Sequence, residues 1–359
     1  MKRAERVFPM KPCARSWRPA GNRHAFWKGI SWLFILLHCL FGAQWAAARE
    51  TGQVRLAVEF LDHAACAHIA RSRNWYRLAG LEVQSFDSYA TGMALSAALA
   101  KGGIDAAYMC LFPAINAYAN ARVPLKIVAG THRYGYGLVV NPTKIRNVAD
   151  LGAPGIRLGC TGEGSPPAAL LHRLVDRFHL DASLVRETRR MPPAKLLLSL
   201  RSGQIDGAFM PEQYPTMGEA DGFRELVRAA DLWPGMQGSV LVVTQRFLET
   251  QPEVVEKLVG LTERGIAYIR THPAEAARLV ADELTATGRQ TVPLDLAHTP
   301  GNRMVSAGVI QASLTRKMDN TTAIDPAAVQ AAIDYAARIG YIRHSFPAGE
   351  ILYLRYLHD

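Results

Sequence analysis

Leu99-Ala-Lys-Gly-Gly-Ile-Asp-Ala-Ala-Tyr-Met109 is repeated about one hundred residues later as Leu200-Arg-Ser-Gly-Gln-Ile-Asp-Gly-Ala-Phe-Met210, with identity at six of the eleven positions. In each copy an apolar helical stretch ends at Gly102 or Gly203, the residue type that adopts the left-handed conformation after a helix without a Cβ penalty. An Ile-Asp pair and a short apolar run follow. The repeat therefore predicts one helix, turn and strand unit that occurs twice.

A second matched pair lies upstream of each copy. Val54-Arg-Leu-Ala57 corresponds to Ile156-Arg-Leu-Gly159, and each reads as the first strand of its unit. The helical stretches are Met93–Ala100 in the first copy and Ala194–Leu200 in the second. Because short apolar strands alternate with helices, the pattern predicts an α/β fold of two lobes with mostly parallel sheets.

Two segments that contain glycine, one between the two copies and one after the second copy, predict where the chain crosses between lobes and forms a two-stranded hinge. Residues 131–137 precede a predicted strand at Leu138–Val140, and residues 233–239 precede one at Val240–Thr244. Ordinary loops remain an alternative. The predicted division is a first lobe at 49–135 and 238–285, a second lobe at 136–237, and C-terminal helices at 286–359 that pack on the first lobe. Within that last part we expect loops and short helices at 286–325 and a final helix at Pro326–Arg338.

The first 48 residues have the order of a secretory signal peptide. Basic residues precede an apolar run, Ile30–Phe41, and small residues follow at Ala46–Ala48. The apolar run is shorter than the roughly 20 residues that span a bilayer, although an uncleaved membrane anchor stays open as an alternative. We expect cleavage near Arg49 and a periplasmic location.

Charge and cysteine content exclude other classes of protein. The formal net charge is +10, and the leader supplies +7 of it (eight Lys and Arg against one Glu), so residues 49–359 carry about +3. A nucleic-acid partner is therefore not implied. The remaining cysteines, Cys66, Cys110 and Cys160, are odd in number and do not form a disulfide framework.

The order of these features resembles a known family. The leader, the duplicated Gly-x-Ile-Asp strand, Asn147-Val-Ala-Asp-Leu-Gly152 and His272-Pro-Ala-Glu-Ala276 are similar to the periplasmic binding components of ABC importers for nitrate, sulfonates and taurine, the NMT1/SsuA-like family. The resemblance covers roughly residues 52–345. It implies a type II periplasmic-binding fold with a two-stranded hinge, a small-molecule ligand between the lobes and an ABC permease in the inner membrane as partner. It implies no catalytic residue and no cofactor.

In parallel α/β sheets, ligands bind beyond the carboxyl ends of strands. Four loops after the matched strands are therefore expected to face one cleft: Phe60–Ala65, Cys110–Pro113, Thr161–Pro166 and Pro211–Tyr214. Arg133 lies near the first crossing. The candidate ligand-binding residues are Asp62, His63, Cys110, Leu111, Phe112, Arg133, Thr161, Gly162, Gly164, Ser165, Glu212 and Tyr214.

The third of these loops, Thr161–Pro166, predicts the sign of the ligand's charge. Ser165 and Pro166 are the residue types preferred at the N-cap and the first helical position, and backbone amides at a helix start favour an anion. Arg133 is expected to add a cation, and Glu212 to accept hydrogen bonds from the ligand or from the opposite lobe. We therefore expect a small organic anion or zwitterion rather than nitrate. A capped helix without a ligand remains the alternative for this loop.

The same residues bear on other functions that this fold can carry. An enzyme on this fold, similar to the proteins that form the thiamine pyrimidine precursor, would need a cysteine-rich motif that the chain lacks. A ligand-presenting partner of a membrane sensor is not separable from a transport component by sequence. Because the cysteines form no Cys-x-x-Cys pair, His63 and His68 do not complete a predicted metal site. We expect a monomer.

Overall fold

The computed structural model describes residues 52–291 and 305–358 of the chain. They lie in the compact unit Thr51–Asp359. The predicted signal peptide, residues 1–48, falls outside the described residues, as does part of the predicted loop region 286–325. No helix within the described residues is long and apolar enough to cross a membrane.

The strands form two sheets. In chain order they are β1 (Gln53–Glu59), β2 (Glu82–Tyr89), β3 (Ala106–Cys110), β4 (Leu125–Tyr134), β5 (Tyr136–Val140), β6 (Leu158–Cys160), β7 (Arg189–Arg190), β8 (Gly207–Pro211), β9 (Arg224–Arg228), β10 (Gln237–Thr244) and β11 (Met318–Asp319).

Helices cover the sheets. They are α1 (Ala65–Ser72), α2 (Trp75–Leu78), α3 (Gly92–Ala100), α4 (Leu111–Ala119), α5 (Pro166–Phe178), α6 (Ser183–Glu187), α7 (Pro193–Arg201), α8 (Tyr214–Ala220), α9 (Ala229–Leu232), α10 (Gln245–Thr250), α11 (Pro252–Thr271), α12 (Pro273–Thr291), α13 (Ala307–Ala312) and α14 (Pro326–Arg338). Short 3₁₀ turns occur at Asp62–Ala64, Val148–Gly152 and Ala348–Glu350, and a π-helical turn at Ser313–Lys317.

The topology of the two sheets reflects the sequence repeat. The first sheet has the order β11-β4-β10-β3-β1-β2 and the second has the order β7-β6-β8-β5-β9. β1 runs parallel to β2 and β3, as β6 does to β7 and β8. One antiparallel strand follows in each sheet, β10 beside β3 and β5 beside β8. The order β2-β1-β3-β10 thus corresponds to β7-β6-β8-β5, which confirms the predicted α/β class.

The chain passes between the sheets at two points. β4 belongs to the first sheet and β5 to the second, with Gly135 between them at a φ of 80°. The chain returns between β9 and β10. Both strands after the crossings begin earlier than predicted, at Tyr136 and Gln237, because backbone pairing extends to Pro211 in one sheet and to Arg133 in the other.

The repeated strands β3 and β8 lie inside their sheets, and every residue in them is buried. Burial on both faces explains why they are continuous apolar runs rather than alternating ones. The helices before them, α3 and α7, end just before Gly102 and Gly203, which adopt φ values of 80° and 69°. The predicted left-handed turn is confirmed in both copies.

The C-terminal part contacts both halves of the fold. β11 pairs with β4 of the first sheet, and α14 begins and ends where the sequence predicted. α14 packs against α4. Its Arg338 also forms an ion pair of 3.3 Å with Asp176 on α5, which follows β6 of the second sheet. The C-terminal segment therefore contacts elements that belong to or pack on both sheets.

Candidate functional site

A cavity of about 230 Å³ lies between the carboxyl ends of strands from the two sheets. From the side of the first sheet it is lined by Glu59, Leu61, Ala90, Thr91, Gly92, Met93, Cys110 and Pro113. From the side of the second sheet it is lined by Tyr136, Thr161, Gly162, Ser165, Pro166, Pro167, Arg190, Met191, Pro192, Pro193 and Pro211. Its walls are mostly apolar, with one carboxyl group and one guanidinium among them.

Four of the predicted site residues line this cavity: Cys110, Thr161, Gly162 and Ser165. Cys110 is the last residue of β3 and the other three follow β6, as the rule of strand ends predicts. The other eight, Asp62, His63, Leu111, Phe112, Arg133, Gly164, Glu212 and Tyr214, are not among its lining residues.

Several of these eight face other parts of the fold. The ring of Phe112 packs edge-on against Trp233 at 6.0 Å and Tyr341 at 6.5 Å, so it is a core aromatic. Leu111 is fully buried, and Tyr214 is buried at the start of α8. Arg133 pairs with Asp319 of β11 at 3.8 Å. A role in stacking or in anion binding at this cavity is therefore not supported for Phe112, Tyr214 or Arg133.

Asp62 and Glu212 lie in buried surroundings near the first crossing. The N–H of Asp62 donates to Gln213 Oε1 at 3.2 Å, and Thr216 Oγ1 donates to the Glu212 carboxyl at 2.7 Å. Burial raises the pKa of Asp62 to about 7 and that of Glu212 to about 8. Glu212 lines a separate cavity of about 240 Å³. Gly164 lies beside Met93 of the main cavity.

Glu59, the last residue of β1, forms the acidic wall of the main cavity. Its Oε1 accepts from the Cys110 N–H at 2.7 Å, and the Cys110 thiol donates to its Oε2 at 3.2 Å. The side chain is buried, and burial raises the pKa of Glu59 to about 7. The predicted loop began one residue later, at Phe60, which is why Glu59 was missed.

His63 contacts both Cys110 and the first crossing, since its Nδ1 lies 3.7 Å from Cys110 Sγ and its other ring nitrogen contacts Gly135. Its Nε2 is 3.0 Å from the carbonyl of Gly135 and its Nδ1 is 3.4 Å from Ser239 Oγ. Because a carbonyl only accepts, Nε2 carries the proton and Nδ1 is the acceptor. Burial, followed by the charge of His132, lowers the pKa of His63 well below its usual value, so the ring is neutral.

The start of α5 differs from the prediction. Ser165 is the N-cap as expected, and its Oγ accepts from the Ala168 N–H at 3.4 Å. The first two helical positions are Pro166 and Pro167, which have no N–H. Ser165 Oγ also donates to the carbonyl of Gly162 at 2.6 Å. The first helical turn therefore offers no free amide to a ligand, since two donors are missing and the third is occupied, and an anion site at this loop stays a prediction that would rest on the loop amides before Ser165.

Arg190, at the end of β7, is the cation of the cavity wall. Its guanidinium donates to the carbonyls of Thr161 and Val185, each at 3.3 Å, and it forms an ion pair with Glu163. These contacts hold the group at the carboxyl end of the second sheet. Its side chain retains 24% exposure and lines the cavity.

Arg190 lies at the end of β7, the middle strand of the second repeat, whereas the sequence match covers only the first and last strands of each copy. The rule that ligands bind at the ends of parallel strands points to Arg190 once β7 is known to be such a strand. β2 and β7 are also parallel strands, and Thr91 and Met191 follow them into the cavity. β7 has only two residues, both arginine, so it carries no apolar strand signal.

The described residues contain no group of three or more His, Cys, Asp and Glu side chains placed to hold a metal ion. Cys66, Cys110 and Cys160 are free thiols and are buried. Burial raises the pKa of Cys66 and of Cys160 to about 12. Burial, followed by the charge of Glu59, raises the pKa of Cys110 well above its usual value.

Comparison with known proteins gives a family and a fold. The model of the NMT1-like family matches residues 47–285. The alkanesulfonate-binding protein SsuA from Xanthomonas axonopodis pv. citri, bound to MOPS, has a similar structure, with 18% identity, a TM-score of 0.68, and coverage of 86% of this chain and 100% of that one.

Two further solved structures are similar. The periplasmic aliphatic sulphonate-binding protein SsuA from Escherichia coli has 18% identity and a TM-score of 0.66, covering 83% of this chain and 96% of that one. The periplasmic nitrate-binding protein NrtA from Synechocystis PCC 6803 has 14% identity and a TM-score of 0.68, covering 86% of this chain and 87% of that one. No curated protein sequence matches the chain. The structural similarity confirms the predicted periplasmic-binding fold.

Proposed function

Since the chain belongs to the NMT1-like family, we propose that it is the exported binding component of an ABC importer and that it carries a small organic anion or zwitterion. The observation that supports this most is the position of Arg190, a cation in the wall of a cavity between the two sheets. A guanidinium binds carboxylate or sulfonate oxygens with charge-assisted hydrogen bonds.

The apolar walls of the cavity favour a ligand with an organic body. Met93, Met191 and the prolines at 192 and 193 offer no charge to a small inorganic ion, whereas they cover methylene groups well. Similar proteins are described as binding alkanesulfonates and nitrate. The composition of this cavity supports the former class for this chain.

An enzyme on the same fold is the alternative function. Cys110 is the thiol that reaches the cavity, and a nucleophilic cysteine needs a lowered pKa. Here burial and the adjacent Glu59 carboxyl both raise the pKa of Cys110, and the neighbouring His63 is neutral. These surroundings oppose thiolate formation, so binding without chemistry is the better proposal.

Location and partners follow from the same proposal. The basic leader at 1–48 would direct export, with cleavage near Arg49 and a periplasmic mature chain. A permease in the inner membrane would receive the ligand, and the mature chain would act as a monomer. The predicted lobes, 49–135 with 238–285 and 136–237, would close on the ligand about the crossings at Gly135 and between β9 and β10.

A thermal-shift screen of the mature protein tests the proposed function. The probes are short alkanesulfonates, amino-sulfonates, carboxylates and nitrate. A ligand of the folded protein at one hundred times its dissociation constant adds about 2.7 kcal/mol of stability, which gives a shift of several degrees. We expect at least one organic anion to produce this shift and nitrate to produce none. Equal stabilisation by nitrate, or no shift with any probe, would contradict the proposal.

A further inference from the structure

We propose that Asp62 and Glu212 form a proton-binding site between the two sheets, and that separation of the sheets releases protons from it. The two carboxyl groups come from opposite sides of the fold. Asp62 begins the 3₁₀ turn after β1 of the first sheet, and Glu212 directly follows β8 of the second sheet. Neither residue lines the main cavity, so the site is separate from the proposed ligand site.

Hydrogen bonds at the first crossing hold the two carboxyl-bearing segments together. The Asp62 N–H donates to Gln213 Oε1 at 3.2 Å. The carbonyl of Gly135, between β4 and β5, accepts from the Glu212 N–H at 2.9 Å and from His63 Nε2 at 3.0 Å. Separation of the sheets at this point would break the bond between Asp62 and Gln213 and would bring water to both carboxyl groups.

Glu212 is fully buried and takes part in no ion pair of the described residues. Its Oε2 accepts from Thr216 Oγ1 at 2.7 Å, and its Oε1 has no hydrogen-bond partner within the described part of the chain. Two charged residues face it, Glu225 on β9 and Lys317 in the π-helical turn, but these pair with each other at 2.6 Å. Burial therefore dominates and raises the pKa of Glu212 to about 8.

The Asp62 carboxyl is in a similar position. It is 1% exposed, and the ion pairs of residues 52–291 and 305–358 do not include it. Ser313 in the π-helical turn acts to lower its pKa, but burial outweighs this and raises the pKa to about 7. Tyr214 on α8 also faces Asp62, and its hydroxyl stays protonated because burial raises its pKa. An isolated buried carboxylate is costly, so both acids favour the neutral form while they are packed.

The direction of the coupling follows from these surroundings. The charge of Asp62 raises the pKa of Glu212, so the two protons leave in steps that belong to the pair. Hydrated carboxyl groups ionise near about pH 4, well below the values in the packed state. Opening near pH 6 should therefore release up to about two protons, and a rise in pH from 6 to 8 should favour the open arrangement. His63 and His132 at the crossing stay neutral in this range, because burial lowers the pKa of both.

Hydrogen exchange of single amides, followed by NMR on the mature protein at pH 6 and pH 8, tests the inference. The protection factor compares each amide with the unfolded chain at the same pH, so it reports even rare opening. The reporters are the amides of Asp62 and Glu212, and the references are Ala57 and Ala107, which pair within the first sheet. The variants are Asp62→Asn and Glu212→Gln.

Glu59→Gln is the matched control. Glu59 is a buried acid as well, and burial raises its pKa to about 7, but it accepts from the N–H and thiol of Cys110 within the first sheet. This variant should keep the pH dependence that wild type shows at Asp62 and Glu212. Loss of that dependence in Glu59→Gln would place the proton on Glu59 and would contradict the inference.

We expect the wild-type protection factors at Asp62 and Glu212 to fall about tenfold or more between pH 6 and pH 8, because a pKa that drops by one unit on opening already changes the equilibrium about tenfold. Asp62→Asn and Glu212→Gln should each reduce this fall. If the wild-type fall is no larger than at Ala57 and Ala107, or if both variants keep it in full, the inference is wrong while the proposed function stands. If Asp62→Asn does not fold, Glu212→Gln decides, and the wild-type comparison can refute the inference without either variant.

Discussion

The carboxyl group of Asp206 accepts three hydrogen bonds from Arg157, one each from the main-chain N–H, Nε and Nη2, all at 3.0 Å. Asp105 accepts the same three from Arg55, at 2.8, 3.1 and 2.8 Å. In each sheet the Asp directly precedes the last strand of the repeat unit and the Arg is in or next to its first strand. The repeated Ile-Asp pair thus joins two neighbouring strands at their amino ends.

Asp206→Asn should destabilise the protein by about 2 kcal/mol at pH 7. Although burial acts to raise it, hydrogen bonds from Arg157 and Lys144 lower the pKa of Asp206 to about 2. Because the folded-state pKa is below the unfolded value, this stability is present above about pH 4 and is lost as pH falls toward 2.

Urea unfolding of wild type and Asp206→Asn at pH 7 and pH 3.5 measures this effect. The difference in unfolding free energy should shrink at the lower pH. Asp282→Asn is the control, since Asp282 pairs with Arg278 on an exposed helix face at 3.1 Å and should change stability by less than about 0.5 kcal/mol. If the difference in unfolding free energy between wild type and Asp206→Asn is the same at both pH values, the charge of Asp206 does not stabilise the fold.

The fold could be predicted because each copy of the repeat contains a buried strand and, directly before it, the Asp that hydrogen-bonds the neighbouring strand. Matching Leu99–Met109 with Leu200–Met210 located β3, β8 and the helices before them. The sequence predicted strands β5 and β10 after the two glycine-bearing crossings. It predicted that they begin at Leu138 and Val240, whereas they begin at Tyr136 and Gln237. Strand starts depend on pairing partners distant in sequence, which a single sequence does not display.

The site was less predictable, and the reasons are local. Thr161, Gly162 and Ser165 were found because they follow a matched strand. Arg190 was missed because β7 is too short to show an apolar pattern, and Phe112 was misplaced because an aromatic after a strand packs equally well into the core. Tertiary packing decides whether a side chain at the start of a helix, such as Phe112, faces a cavity or the core, and a single sequence does not show that packing.

Gly92→Ala should destabilise the protein by about 1 to 3 kcal/mol, because its Cβ would overlap the Glu59 carboxyl. Gly260→Ala is the control within α11, where no atom other than the helix's own nearby backbone lies within 4 Å of the added Cβ. That change should stabilise the protein by roughly 0.5 to 1 kcal/mol through helix propensity. Denaturant unfolding of both variants gives the comparison, and equal effects of the two substitutions would refute the close approach at Gly92.

The three thiols of the described residues should react slowly with Ellman's reagent in the native protein at pH 8. Burial raises the pKa of Cys66, Cys110 and Cys160, which keeps them protonated and shielded from the reagent. In denaturant all three should react at once. A native thiol that reacts as fast as free cysteine, and is assigned to Cys110 by its loss in Cys110→Ala, would favour the enzyme alternative.

The most direct test of the account is calorimetry of Arg190→Gln and Arg189→Gln with an organic anion that stabilises wild type. The two arginines are neighbours in β7, but Arg189 is exposed, donates to the carbonyl of Gln204 at 3.3 Å and does not line the cavity. Arg190→Gln should weaken binding by about thirtyfold, as loss of a charge-assisted contact of about 2 kcal/mol implies, while Arg189→Gln should stay within about twofold of wild type. Wild-type affinity in a folded Arg190→Gln variant would contradict the claim that this cavity binds the ligand through Arg190.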